Sequence, residues 1–166
     1  MESRKICMLG AFATGKTSLV ARFVKGIYSE AYRSTIGVKI DKKIVGIDGK
    51  DVSLLLWDLA GEDDFVSAQM RYLRGAAGYL LVVDGTRPDT LETALSLHRR
   101  VRNEVGELPF VLVLNKNDLR AQWAIDDVDG DLLGLREVAL ATLRTSAKSG
   151  DHVEQAFDQL TREVMR

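Results

Sequence analysis

Residues 10–17 read Gly-Ala-Phe-Ala-Thr-Gly-Lys-Thr, the pattern G-x-x-x-x-G-K-T, directly after the apolar run Ile6-Cys7-Met8-Leu9. The apolar run predicts a strand, and Lys16 onward predicts a helix. A glycine-rich loop between strand and helix is the setting in which this pattern makes a phosphate site. Loop N–H groups turn inward there, and the helix N-terminus adds its positive end. Lys16 would reach the distal phosphates, and the Thr17 hydroxyl would ligate Mg²⁺. Gly10 and Gly15 stand where the backbone must turn sharply or come close to an anion.

The chain has 166 residues, which predicts one domain over residues 1–166. Its net charge of −1 gives no reason to expect nucleic-acid binding through a basic surface. A single cysteine, Cys7, allows no internal disulfide, which fits a reducing, cytoplasmic setting. No apolar run is long enough to cross a membrane. The last residues carry no cysteine, so no lipid anchor is read here. The expectation is a monomer. Asp126 to Asp131 lacks the glycine and glutamate spacing of a calcium loop and reads as a solvated helix cap. His98 and His152 have no second ligand at metal spacing. Trp123 reads chiefly as a packing residue.

Strands and helices alternate, as in an α/β sheet with helices on both faces. Strands are predicted at Arg4–Leu9, Val38–Ile47, Val52–Trp57, Tyr79–Val83, Phe110–Leu114 and Leu143–Ser146. Asp48-Gly49 predicts a tight hairpin, which makes one strand antiparallel and places it at an edge. In that strand Val38, Ile40 and Ile44 alternate with Lys39, Asp41 and Lys43, which predicts one exposed face. Tyr79–Val83 and Phe110–Leu114 are continuous apolar runs, as expected of central parallel strands. Helices are predicted at Lys16–Lys25, Pro88–Glu107, Leu132–Leu140 and Val153–Met165. Leu91, Leu95, His98 and Arg102 form one line of the second. The whole reads as about six strands and five helices.

Four more motifs fall at strand ends or in adjacent loops, where open α/β sheets bind ligands. Asp58-Leu59-Ala60-Gly61 offers a carboxylate for a water-mediated Mg²⁺ contact and, at Gly61, an N–H for a γ-phosphate. Asn115-Lys116-Asn117-Asp118 places a carboxylate, Asp118, that accepts from guanine N1–H and its 2-amino group. Adenine lacks both donors and would leave that carboxylate unpaired. Ser146-Ala147-Lys148 follows the last strand, with the Ala147 N–H available to guanine O6 and Lys148 packing on the loop. In the loop before the second strand, Thr35 can complete the Mg²⁺ shell and Tyr28 can stack on the base edge.

This ordered set resembles the Ras superfamily of small GTPases over essentially the whole chain. Residues 28–38, Tyr-Ser-Glu-Ala-Tyr-Arg-Ser-Thr-Ile-Gly-Val, look most like the first switch of the Rab branch. Trp57-Asp58-Leu59-Ala60-Gly61-Glu62 resembles that branch's W-D-T-A-G-Q. The resemblance implies a G domain with a six-stranded, mostly parallel sheet, and a switch that binds GTP or GDP with Mg²⁺. It implies nucleotide contacts from Ala13, Thr14, Gly15, Lys16, Thr17, Ser18, Tyr28, Thr35, Gly61, Asn115, Lys116, Asp118, Ser146, Ala147 and Lys148. Thr17, Thr35 and, through water, Asp58 would serve the metal. Effectors, exchange factors and GTPase-activating proteins would dock on residues 28–38 and 59–74. Catalysis would fall to Glu62, Gly61, Lys16 and Thr35.

Three departures bear on that implication. Glu62 stands where the family has glutamine; an ionised glutamate cannot donate to the γ-phosphate and adds negative charge beside it. Phe12 replaces a small loop residue and either bars an incoming arginine or simply packs on a loop. Both favour slow hydrolysis, and they keep open a second reading, a GTP-binding scaffold that does not hydrolyse. A P-loop kinase or ATPase is a third reading, disfavoured by Asp118 and by the absence of any acceptor domain or lid in so short a chain. The family's prenylated C-terminal cysteines are missing, which leaves a trimmed chain, a non-membrane branch and a bacterial relative open. Lys39-Ile40 also departs from the Rab pattern Asp-Phe.

Overall fold

A computed structural model describes residues 1–30, 37–59 and 70–166. Among them lie six strands: β1 Glu2–Gly10, β2 Val38–Ile47, β3 Lys50–Leu59, β4 Gly78–Asp84, β5 Phe110–Asn115 and β6 Ala141–Arg144. Four α-helices lie wholly within the described residues: α1 Lys16–Lys25, α2 Asp89–Glu104, α3 Gly130–Val138 and α4 Val153–Val164. A 3-10 turn covers Arg120–Gln122. The sheet order is β2-β3-β1-β4-β5-β6. Only the β2–β3 pair is antiparallel; the other four are parallel. The hairpin turn at Asp48-Gly49 has φ of 50° and 81°, the left-handed pair that lets a two-residue turn follow strand twist.

The sheet divides the core in two. Cys7, Leu9, Tyr79, Leu81, Val83, Leu112 and Leu114 point to the side covered by α2 and α3. Their neighbours Ile6, Met8, Leu80, Val82, Val111 and Val113 point to the side covered by α1 and α4. Period-two alternation thus buries both faces of the central strands, which is why they read as unbroken apolar runs. Phe23 of α1 and Phe157 of α4 stack at 4.0 Å and join the helices on one side. Burial pushes the Cys7 thiol up to about 12, so this cysteine behaves as a core hydrophobe.

The structure corrects three details of the sequence reading. On β2 the apolar residues Ile40 and Ile44 are the exposed ones, each 50% accessible. Lys43 instead turns inward, with its ammonium 3.8 Å over the Phe23 ring and donating to the Phe23 carbonyl at 2.5 Å. Its long stem covers the end of α1 while its charge finds a ring and an acceptor. On α2 the buried line is Leu91, Ala94, His98 and Val101 rather than one through Leu95 and Arg102. Arg102 is exposed and pairs with Glu107 at 2.8 Å. Near the C-terminus, helix and strand both begin two residues early. Asp129 caps α3 by accepting from the N–H groups of Asp131 and Leu132, and Ser146-Ala147 fall in the loop beyond β6.

Candidate functional site

The carboxyl ends of β1, β3, β4, β5 and β6 converge on the loop at residues 10–15. Gly10 has φ 155°, and a Cβ there would lie 2.4 Å from the Val82 carbonyl oxygen. Gly15 has φ 100°, and its Cβ would lie 2.3 Å from Asn115 Nδ2. The close approach that demands glycine is therefore against β4 and β5, which press the loop into shape. Ala13 holds a left-handed φ of 59° without being glycine.

Lys16 opens α1 and is only 6% exposed. Its Nζ donates to the carbonyls of Gly10 at 3.2 Å and Ala11 at 2.9 Å, so the ammonium lies across the loop mouth. Burial pushes its pKa down to about 8; the Asp58 carboxylate opposes that shift and Arg87 adds to it. An anion in the loop would raise it again by favouring the charged form. The Thr17 hydroxyl donates to Asp58 Oδ2 at 2.5 Å, joining the helix start to the end of β3. Ser18, the next residue, is half-buried.

Hydroxyl and carboxylate oxygens are the donors Mg²⁺ selects, and few protein ligands suffice when phosphates supply the rest. Thr17 backed by Asp58 fits that role. Among the described residues no group of three or more His, Cys, Asp or Glu stands close enough to cage a metal alone. The site suits a metal brought with a phosphate ligand.

The residues that the sequence predicts for reading a base also come together. Asn115 is buried; its Nδ2 donates to the Thr14 carbonyl at 3.0 Å, and its Oδ1 accepts from Thr145 Oγ1 at 3.0 Å. Lys116, at φ 70°, donates to the Ala13 carbonyl at 3.0 Å. Asp118 is exposed and accepts from Ser146 Oγ at 2.8 Å, which fixes the carboxylate and leaves its outer edge open. Ala147 is buried, and its carbonyl accepts from Arg22 Nε at 2.9 Å. Lys148 pairs with Glu30 at 2.9 Å, and Tyr28 lies within its electrostatic reach. Thr35, Gly61 and Glu62 lie outside the described residues.

Some contributors were not read from the sequence. Asp84, at the end of β4, is 1% exposed and accepts from Lys116, Arg87 and Thr86. Burial pushes its pKa up, but those hydrogen bonds, led by Lys116, outweigh burial and hold it below the usual carboxylate range. Arg22 donates to the carbonyls of Ala147, Lys148 and Gly26, which ties the Ser146-Ala147-Lys148 loop to α1. In sequence these residues look like a turn aspartate and a helix-surface arginine. The partners that decide their roles are distant in the chain: Lys116 follows β5 while Asp84 ends β4, and Ala147 and Lys148 lie 125 and 126 positions from Arg22.

A sequence model of the Ras family matches residues 5–166. The chain belongs to the Ras family. Two curated relatives from Lotus japonicus, the Ras-related proteins Rab11E and Rab11D, are each 34% identical over 163 residues. Each match covers 98% of this chain and 74% of the relative. The likeness is thus to the Rab side of the family, and the observed sheet order and loop are a Ras-family G domain. The protein is a small GTPase, a guanine-nucleotide switch of the kind that uses Mg²⁺ and answers to effectors and regulators.

Proposed function

We propose that this chain is a single G domain, residues 1–166, that cycles slowly between GTP and GDP because its own sequence restrains hydrolysis. The nucleotide would lie with its phosphates over residues 13–18 and its base between Asp118 and Ala147. Tyr28 would cover the base edge, Asn115 and Lys116 would brace the loop, and Lys148 would close the base side. Thr17, Thr35 and Asp58 would hold Mg²⁺, whose chemistry is to screen the β- and γ-phosphates. Gly61 would donate its N–H to the γ-phosphate, and Glu62 would orient the attacking water.

The observation that carries the nucleotide assignment is Lys16. A lysine only 6% exposed, bonded solely to loop carbonyls in the described structure, is held ready for an anion. The kinetic part rests on residue chemistry. An ionised Glu62 can accept from water but cannot donate to the γ-phosphate, and Asp63 and Asp64 deepen the negative field. Phe12 is 40% exposed, and a ring there would obstruct an arginine supplied by a partner. The docking regions for partners would be residues 28–38 and 59–74.

Single-turnover hydrolysis of bound GTP, wild type beside Glu62→Gln, tests this. Wild type is expected below the ~10⁻⁴ s⁻¹ intrinsic rate of this class, with Glu62→Gln faster. Equal rates for the two proteins would remove Glu62 as the restraint.

A further inference from the structure

Three consecutive carbonyls of the phosphate loop are each gripped by a different side chain from outside it. Asn115 Nδ2 donates to Thr14 O at 3.0 Å, Lys116 Nζ to Ala13 O at 3.0 Å, and Arg87 Nη2 to Phe12 O at 2.7 Å. A trans peptide points its C=O and the following N–H in opposite directions, and no cis bond occurs among the described residues. Drawing the carbonyls of residues 12, 13 and 14 toward β4 and β5 therefore aims the N–H groups of 13, 14 and 15 into the loop.

We propose that Arg87 is a positioning residue for nucleotide binding, acting through the peptide between Phe12 and Ala13. It comes from the turn after β4, outside the motifs that define the site. Its guanidinium spans two jobs at once: Nε donates to Asp84 Oδ2 at 3.0 Å while Nη2 holds the Phe12 carbonyl. Asp84 is anchored in turn by Lys116 at 2.7 Å and by the Thr86 N–H and hydroxyl at 2.8 and 2.7 Å. One buried carboxylate thus fixes both cations, and the two cations fix successive loop carbonyls. The left-handed φ of 59° at Ala13 makes this anchoring necessary, because a non-glycine residue leaves that conformation readily when nothing holds it. Phe12 matters here through its backbone, whatever its ring does.

The arginine cannot be replaced by lysine in this role. A lysine brings one nitrogen, which can satisfy Asp84 or the Phe12 carbonyl but not both in a fixed fork. This separates the loop-holding function from the ion pair with Asp84.

The proposal rests on the nucleotide reading above. The test uses the full chain loaded with a fluorescent GDP and Mg²⁺ and chased with unlabelled GDP, for wild type, Arg87→Ala and Arg87→Lys. Both variants are expected to release GDP roughly 5- to 10-fold faster, the order of one net hydrogen bond. Arg87→Lys is expected to lower the GDP-bound unfolding midpoint by no more than its weaker binding accounts for, and the phosphorus resonances of bound GDP are expected to move in both. A variant pair that folds and releases GDP at the wild-type rate overturns the proposal. So does release that is fast in Arg87→Ala but unchanged in Arg87→Lys, since the pair with Asp84 would then suffice. A wild type that takes up no GDP while binding an adenine nucleotide overturns the nucleotide reading itself, and the role of Arg87 with it.

Discussion

Gly85→Ala is a one-carbon change with a calculable consequence. A Cβ at Gly85 would stand 2.0, 2.3 and 2.4 Å from Cζ3, Cη2 and Cε3 of the Trp123 indole. The backbone cannot yield easily, because the Gly85 N–H donates to Asn115 O at 3.0 Å and its carbonyl accepts from Ala124 at 2.8 Å. The indole must leave instead, and it then loses its place under the Arg144 guanidinium, 4.7 Å from the ring centre. Overpacking of this kind costs about 1–3 kcal/mol, and the chain-entropy advantage of alanine over glycine returns at most ~1 kcal/mol. We expect a net loss of roughly 1–2 kcal/mol, or about 2–8 °C in Tm for a chain of this size. Thermal and urea unfolding at fixed GDP and Mg²⁺ would measure it, since a bound ligand shifts both. The double-mutant cycle with Trp123→Ala makes the test specific. With the indole gone, Gly85→Ala should cost close to nothing, so nearly the whole penalty should appear as interaction energy. An equal penalty in both backgrounds would show that the clash is not the cause.

Two further outcomes follow from single contacts. His98 is 8% exposed, with Nδ1 2.9 Å from the Tyr79 hydroxyl, and burial with Arg102 and Arg99 nearby lowers its pKa. The unfolded chain therefore takes up the proton first. Stability is full above the ordinary histidine range, near pH 6.5, and falls as pH drops below it. His98→Gln should flatten that acid slope in urea titrations at pH 7.5 and 5.5; an unchanged slope would place the sensitivity elsewhere. Asp118→Asn exchanges one acceptor for an amide donor, which suits the 2-oxo group of xanthine better than the 2-amino group of guanine. Competition binding should show GDP weakened on the order of 10³-fold and xanthosine diphosphate strengthened; equal loss of both would mean that Asp118 does not read the base.

Much of this was legible in the sequence for one reason: the chemistry is local there. Gly10 to Thr17 carries its own turn, charge and hydroxyl within eight positions, and the central strands announce themselves by being apolar on both faces. What was not legible depends on partners distant in the chain. The inward turn of Lys43 is set by Phe23, and alternation alone pointed the other way because Ile40 and Ile44 look like core residues. Asp84 and Arg87 read as a polar turn until Lys116 and the Phe12 carbonyl are brought beside them. Gly85 looks like a routine strand-end glycine, and only Trp123 shows why it has no side chain. At Gly10 and Gly15 the sequence predicts a sharp turn or the close approach of an anion; both have positive φ, and the structure adds Val82 and Asn115, which fill the space a Cβ would take.

The identity of the nucleotide released on denaturing the purified protein tests the central claim most directly. Lys16 across the loop mouth and the open edge of Asp118 predict close to one guanine nucleotide per chain, as GTP or GDP. Recovery of an adenine nucleotide in its place, or a stripped protein that takes up adenine and not guanine nucleotides with Mg²⁺, would contradict the site as assigned.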